Sequence, residues 1–89
     1  MRAVITVLGH DKIGIIYQVT KVLAENKVNV LDISQTILQD YFTMVMIVDL
    51  KDSLLKFEDL QQKLSETGKQ MELSVRIQHQ DIFDSMHRI

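Results

Sequence analysis

One short stretch constrains the fold more than any other: Leu8-Gly9-His10-Asp11-Lys12-Ile13-Gly14-Ile15-Ile16. Before it, Ala3 to Leu8 is a β-branched apolar run with the length of a buried strand. After it, Ile15, Ile16, Val19, Val22 and Leu23 recur at helical spacing, with Gln18, Lys21, Glu25 and Asn26 on the other side. A strand must therefore hand over to a helix, predicted over 14–26, through a turn that carries two glycines. A helix that starts this way leaves its first backbone N–H groups without partners. Together with the helix dipole they favour a carboxylate or a phosphate. Many such turns bind nothing, so the spacing alone also fits a purely structural role. Asp11 lies just before the first turn. Its carboxylate can cap the opening N–H groups or contribute to a binding site, and both readings stand at this point.

Asn26-Lys27-Val28-Asn29 reads as a turn. A second strand is predicted over Val30 to Gln39, with Leu31, Ile33, Gln35 and Ile37 on one face and Asp32, Ser34 and Thr36 on the other. Gln39-Asp40-Tyr41 reverses the chain into a third strand, Tyr41 to Leu50. There Phe42, Met44, Met46, Val48 and Leu50 face one way and Tyr41, Thr43, Val45, Ile47 and Asp49 the other. Both faces are largely apolar, so both are expected to be covered. A second helix is predicted over 54–67, capped by Ser53 and stopped by a left-handed Gly68. Leu54, Phe57, Leu60, Gln61 and Leu64 form its expected inner stripe, and Asp59 and Lys63 are spaced to pair. Met71 to His79 alternates as a fourth strand, and Ile82, Phe83, Met86 and Ile89 are spaced for a short packed helix.

Short connections and right-handed crossovers assemble this βαββαβ order into an α+β, ferredoxin-like fold. Its four-stranded antiparallel sheet carries two helices on one face, followed by the short C-terminal helix. At 89 residues the expected unit is one domain, 1–89, with a core over about 2–79 and a helical tail over about 81–89.

The inventory of side chains narrows the function. Net charge is −2 and the lysines are scattered, which disfavours nucleic acid and anionic membrane as partners. The first strand lacks the aromatics on which RNA-binding sheets of this topology stack bases. No apolar run approaches the ~18 residues that span a bilayer, and no apolar leader precedes the first strand. A cytoplasmic protein is expected. There is no cysteine and no Gly-x-Ser-x-Gly turn. The first loop offers Lys12 but no arginine, unlike acylphosphatases of the same strand order. His10 and Asp11 lack a third orienting group, so catalysis is not expected. His10, Asp11, His79 and His87 could ligate a metal only by coming together in space, since their spacing matches no ligand motif. Neither metal nor cofactor is expected.

The element order, with Gly9-His10-Asp11-Lys12-Ile13-Gly14-Ile15 after the first strand and Val28-Asn29-Val30 before the second, resembles the ACT domain. That is the small regulatory module of amino-acid-metabolising enzymes. The Asp-Lys-x-Gly-Ile version is similar to glycine-cleavage regulators and to the small free-standing ACT proteins related to them. The tail Val75-Arg76-Ile77-Gln78-His79-Gln80-Asp81-Ile82-Phe83, with Met86-His87-Arg88-Ile89, resembles that free-standing group.

The resemblance implies a small ligand, commonly an amino acid, held between two domains and lined by the turn before the first helix. It places candidate contacts at His10, Asp11, Lys12, Ile13, Gly14 and Asn29. Gly14 falls at the family's small-residue position, Asp11 at its polar loop position and Asn29 at the Asn that opens the second strand. Some amino-acid-sensing members carry Asn in place of Asp11 and His in place of Gly9. An anionic Asp11 repels a ligand carboxylate and suits an ammonium instead. The expectation is a free-standing regulatory homodimer that binds a small molecule at its interface and signals to a partner protein in trans. The alternative is a ligand-free module for dimerisation or docking.

Overall fold

A computed structural model describes residues 1–86. The elements run β1 (Arg2–His10), α1 (Ile15–Glu25), β2 (Asn29–Leu38), β3 (Tyr41–Asp49), α2 (Phe57–Gln70), β4 (Ser74–His79) and α3 (Gln80–Met86). The strands form one antiparallel sheet in the order β2-β3-β1-β4. This is the expected ferredoxin-like βαββαβ arrangement. Alternation decides its layers. Ala3, Ile5 and Val7 of β1 pair across to Val48, Met46 and Met44 of β3, and this shared face packs on α1 and α2. Ile15, Val19 and Leu23 of α1 and Leu60 and Leu64 of α2 complete the core. Removing these side chains from water is the main force that closes the fold.

The opposite face of the sheet is partly covered. Val4 points away from the helices, yet it is only 3% exposed and stands outside the main core. Helix α3 packs on β1 and β4 at that place, and Gln78, which pairs with Val4, donates to the Met86 sulfur at 3.5 Å. The packing of α3 is looser than its spacing predicts. Ile82 and Met86 are exposed, Phe83 is half-buried, and Ile89 lies outside the described residues.

Strand β2 departs from simple alternation. Val30 pairs with Val48 and Asp32 with Ile47, so Leu31 is an extra, bulged residue. Val30, rather than Leu31, therefore shares the helix-side face with Ile33, Gln35 and Ile37. As the outer strand, β2 meets only α1 among the helices, and sparsely, and all of it except Val30 is exposed.

The second helix begins later and ends later than its sequence signals predict. Ser53 instead closes a small turn, its hydroxyl bonding the backbone N–H and C=O of Leu55. Lys56 occupies the cap position, Leu54 is 63% exposed, and Gln61 also faces solvent. Asp59 and Lys63 form no ion pair. Gly68 is not the left-handed stop; it lies inside α2, and Glu72 takes that conformation with φ 57. Gly68 is needed for close packing. A Cβ there would lie 2.8 Å from the Leu73 carbonyl oxygen and 2.8 Å from Val75 Cγ2. Gly68→Ala is expected to lower stability by about 1–2 kcal/mol, because overpacking outweighs the helix propensity gained. Urea unfolding followed by circular dichroism measures it, and an unchanged midpoint would show that α2 can shift at no cost.

Candidate functional site

Strand β1 does not end at Leu8 but runs on through Gly9 and His10, paired with Phe42 and Tyr41. Gly9 is thus a strand residue. A Cβ on it would lie 2.5 Å from Leu73 Cδ2, so its absence lets β1 pass the turn before β4. The loop proper is Asp11 to Gly14, and each of its residues is placed differently.

His10 stacks on Tyr41 with ring centroids 4.9 Å apart, and its Nδ1 lies 3.6 Å from Asp40 Oδ2. Both groups are largely exposed, so the contact contributes little to stability. The Asp11 backbone N–H donates to the Asp40 carbonyl at 2.7 Å, which ties the loop to the β2–β3 hairpin. The Lys12 ammonium donates to the carbonyl of Met71, which caps the C-terminal end of α2 before β4. Ile13 is 100% exposed. Gly14 caps α1 from a left-handed conformation, φ 91, and its carbonyl accepts the first helical bond, from Gln18 N–H at 2.9 Å.

No side chain caps α1. The capping reading of Asp11 is therefore overturned: Gly14 holds the cap position, and its left-handed backbone opens the helix without a side-chain bond. The start of α1 borders a cleft of about 320 Å³. Asp11, Lys12, Gly14 and the first residues of α1 form one wall, and Gln35, Ile37 and Phe42 the other. Its size is at the low end for small-molecule sites, roughly 300–1,000 Å³.

The six predicted site residues thus separate. Asp11, Lys12 and Gly14 line the cleft; His10 and Ile13 flank it. Asn29 pairs with Asp49 at the far end of β2 and lines a different depression with Lys27 and Asp52. Residues that the sequence reading missed are Ile16, Tyr17, Gln35, Ile37 and Phe42. Gln35 was the detectable one, a lone polar residue on the apolar face of the second strand. The possible metal ligands are also separated. His10 and His79 sit at opposite ends of β1, and His79 stacks on Phe57 with centroids 4.1 Å apart. His87 lies outside the described residues.

Nothing lies within 4 Å of the position a Cβ would take on Gly14, so within the chain its glycine serves the backbone angle and not a close approach. Gly14→Val is expected to cost about 1–3 kcal/mol through the strained φ, with the spectrum of the fold retained. Denaturant unfolding checks this. Loss of ligand or of self-association in the still-folded variant would show that another molecule occupies the space above Gly14.

A four-stranded antiparallel sheet with two helices on one face defines the ferredoxin-like α+β class. The family model of the ACT domain matches residues 2–78, and the chain belongs to the ACT domain family. It is 52% identical over 89 residues to a UPF0237 protein of Clostridium acetobutylicum, covering 100% of both chains. The ACT domain protein from Streptococcus pneumoniae superimposes with a TM-score of 0.81 at 39% identity over 94% of each chain. A putative glycine cleavage system transcriptional repressor shares the fold, with a TM-score of 0.74 at 22% identity over 86% of this chain and 44% of that one.

Proposed function

We propose that this protein is a free-standing regulatory ACT module that binds an amino acid in the first-loop cleft, at the interface of a homodimer. The observation that carries the reading is the cleft itself. Its two charged residues, Asp11 and Lys12, have opposite signs and stand beside the uncapped start of α1. An amino acid has the matching pair of charges. Its ammonium pairs with Asp11, and its carboxylate meets the open N–H groups of the first turn.

The exposed outer strand supports the dimer. Leu31, Ile33, Ile37 and Leu38 stand on an edge with unpaired backbone groups, next to the exposed Ile13, Ile16 and Tyr17. Two copies related by a two-fold axis pair such edges antiparallel, which brings the Asn29 end of one β2 towards the Leu38 end of the other. Asn29 then acts as a donor to the ligand of the neighbouring copy, although it lies far from Asp11 within one chain.

In this reading the protein acts by binding, without catalysis, metal or cofactor, in the cytoplasm. Its output is contact with a partner protein in trans. Among the described residues no helix is long and apolar enough to cross a membrane. Titration calorimetry against each proteinogenic amino acid tests the proposal. Saturable heat with one or a few of them is expected. Silence across the whole panel would leave the ligand-free dimerisation module as the function.

A further inference from the structure

We infer that Lys12 conveys occupancy of the cleft to the turn between α2 and β4. This rests on the ligand reading above and specifies its output. Lys12 belongs to two places at once. It lines the cleft, and its ammonium donates to the backbone carbonyl of Met71, 59 residues further along. Met71 is the C-cap residue of α2. The carbonyl end of a helix attracts a cation, so the ammonium is well seated there while the cleft is empty.

Lys12 is also the one positively charged residue that lines the cleft among the described residues. An anionic ligand group therefore offers it a second acceptor. A hydrogen bond between two ions is roughly twice as strong as one to a neutral carbonyl. The lysine stem is flexible and its three donors rotate, so the exchange needs no movement of the backbone. A carboxylate entering the cleft draws the ammonium off Met71.

What is released is a turn under local strain. Glu72 holds φ 57, a conformation that side chains other than glycine seldom adopt. Its N–H bonds the Lys69 carbonyl at 3.2 Å, and the Leu73 N–H bonds the Gly68 carbonyl at 2.8 Å. Leu73 in turn packs on β1 beside Gly9. Loosening this turn loosens the start of β4. Because β4 is the outer strand opposite β2, a protein that reads the change there does not compete with pairing of the β2 edges.

Amide hydrogen exchange of the full chain tests the inference, with an equimolar mixture of the proteinogenic amino acids as the probe. Calorimetry on the same samples reports binding separately. In the wild type the Glu72 and Leu73 amides are expected to exchange at least about threefold faster once the probe is added. In Lys12→Met, which keeps the stem and removes the charge, they are expected to exchange fast already, with no further change on adding the probe. A purely structural Lys12 would give the fast exchange of the variant but no acceleration in the wild type. Heat of binding with unchanged or slower wild-type exchange overturns the inference and leaves the ligand reading intact. Absence of heat removes both. The wild-type comparison decides whether or not the variant folds.

Discussion

If the proposed dimer forms through the β2 edge, Ile33→Lys is expected to sediment as a single 10.3 kDa species at micromolar concentration while the wild type sediments as two chains. Strand β2 is bonded on one side only, to β3, and its outer backbone groups are free to pair. Ile33 lies opposite Met46 on the helix side, exposed, and outside the lining of the cleft. A lysine on such an edge is a common means of blocking strand addition. Pairing two copies would have to desolvate the ammonium next to apolar side chains, at a cost of about 3 kcal/mol or more. Each 1.4 kcal/mol is about tenfold, so the dissociation constant should rise by roughly 100-fold or more. The fold itself should tolerate the change, since the side chain faces solvent in one chain. Leu8→Lys is the control on the other face of the sheet, where Leu8 is exposed. A dimer that survives at position 33 but dissociates at position 8 would mean that the sheets pack face to face. A wild-type protein that sediments as one chain would remove the dimer altogether.

Asp11→Asn is expected to weaken an amino-acid ligand by about 1.5–3 kcal/mol, roughly 10- to 150-fold, with little effect on stability. Two observations support that split. The Asp11 carboxylate does not cap α1, so folding does not depend on it. The bond that does anchor residue 11 is made by its backbone N–H to Asp40, and Asn keeps that group. The charge is therefore free to act on a ligand, and neutralising it removes the ionic part of the contact while keeping its shape. Asn29→Ala tests the neighbouring copy's share of the same site. Calorimetry on both variants decides the matter: unchanged affinity in both would eliminate this site.

The layers of the fold were legible because hydrophobic alternation is a strong signal where one face is buried. Met44, Met46 and Val48 alternate with half-buried neighbours, and the helical stripe Ile15, Val19, Leu23 is unbroken. The boundaries of α2 were less legible. Gly68 looked like a stop because glycine favours left-handed backbone, yet here it is required by the closeness of Leu73 and Val75. That requirement is set by tertiary packing and leaves no local trace. Glu72 took the left-handed position instead, a choice no propensity favours. The bulge at Leu31 was hidden for a similar reason, since one inserted residue reverses which faces match only when the partner strand is known. At the cleft, the residues contiguous in the first loop were found. Gln35, Ile37 and Phe42 were not, because they reach the cleft from strands that join it only through the hairpin.

The sheet has two unlike margins, and this bears on stoichiometry. Strand β2 offers 10 residues, bulged and rich in exposed isoleucine and leucine, whereas β4 offers 6 and carries Arg76. If unlike margins joined head to tail, each addition would leave a fresh one and growth would continue into a filament. If like meets like, the long margin of each copy is consumed at once and the remaining ends are short and charged. In the proposed dimer the asymmetry would therefore act as a counter that stops at two and keeps a small β-rich chain from polymerising.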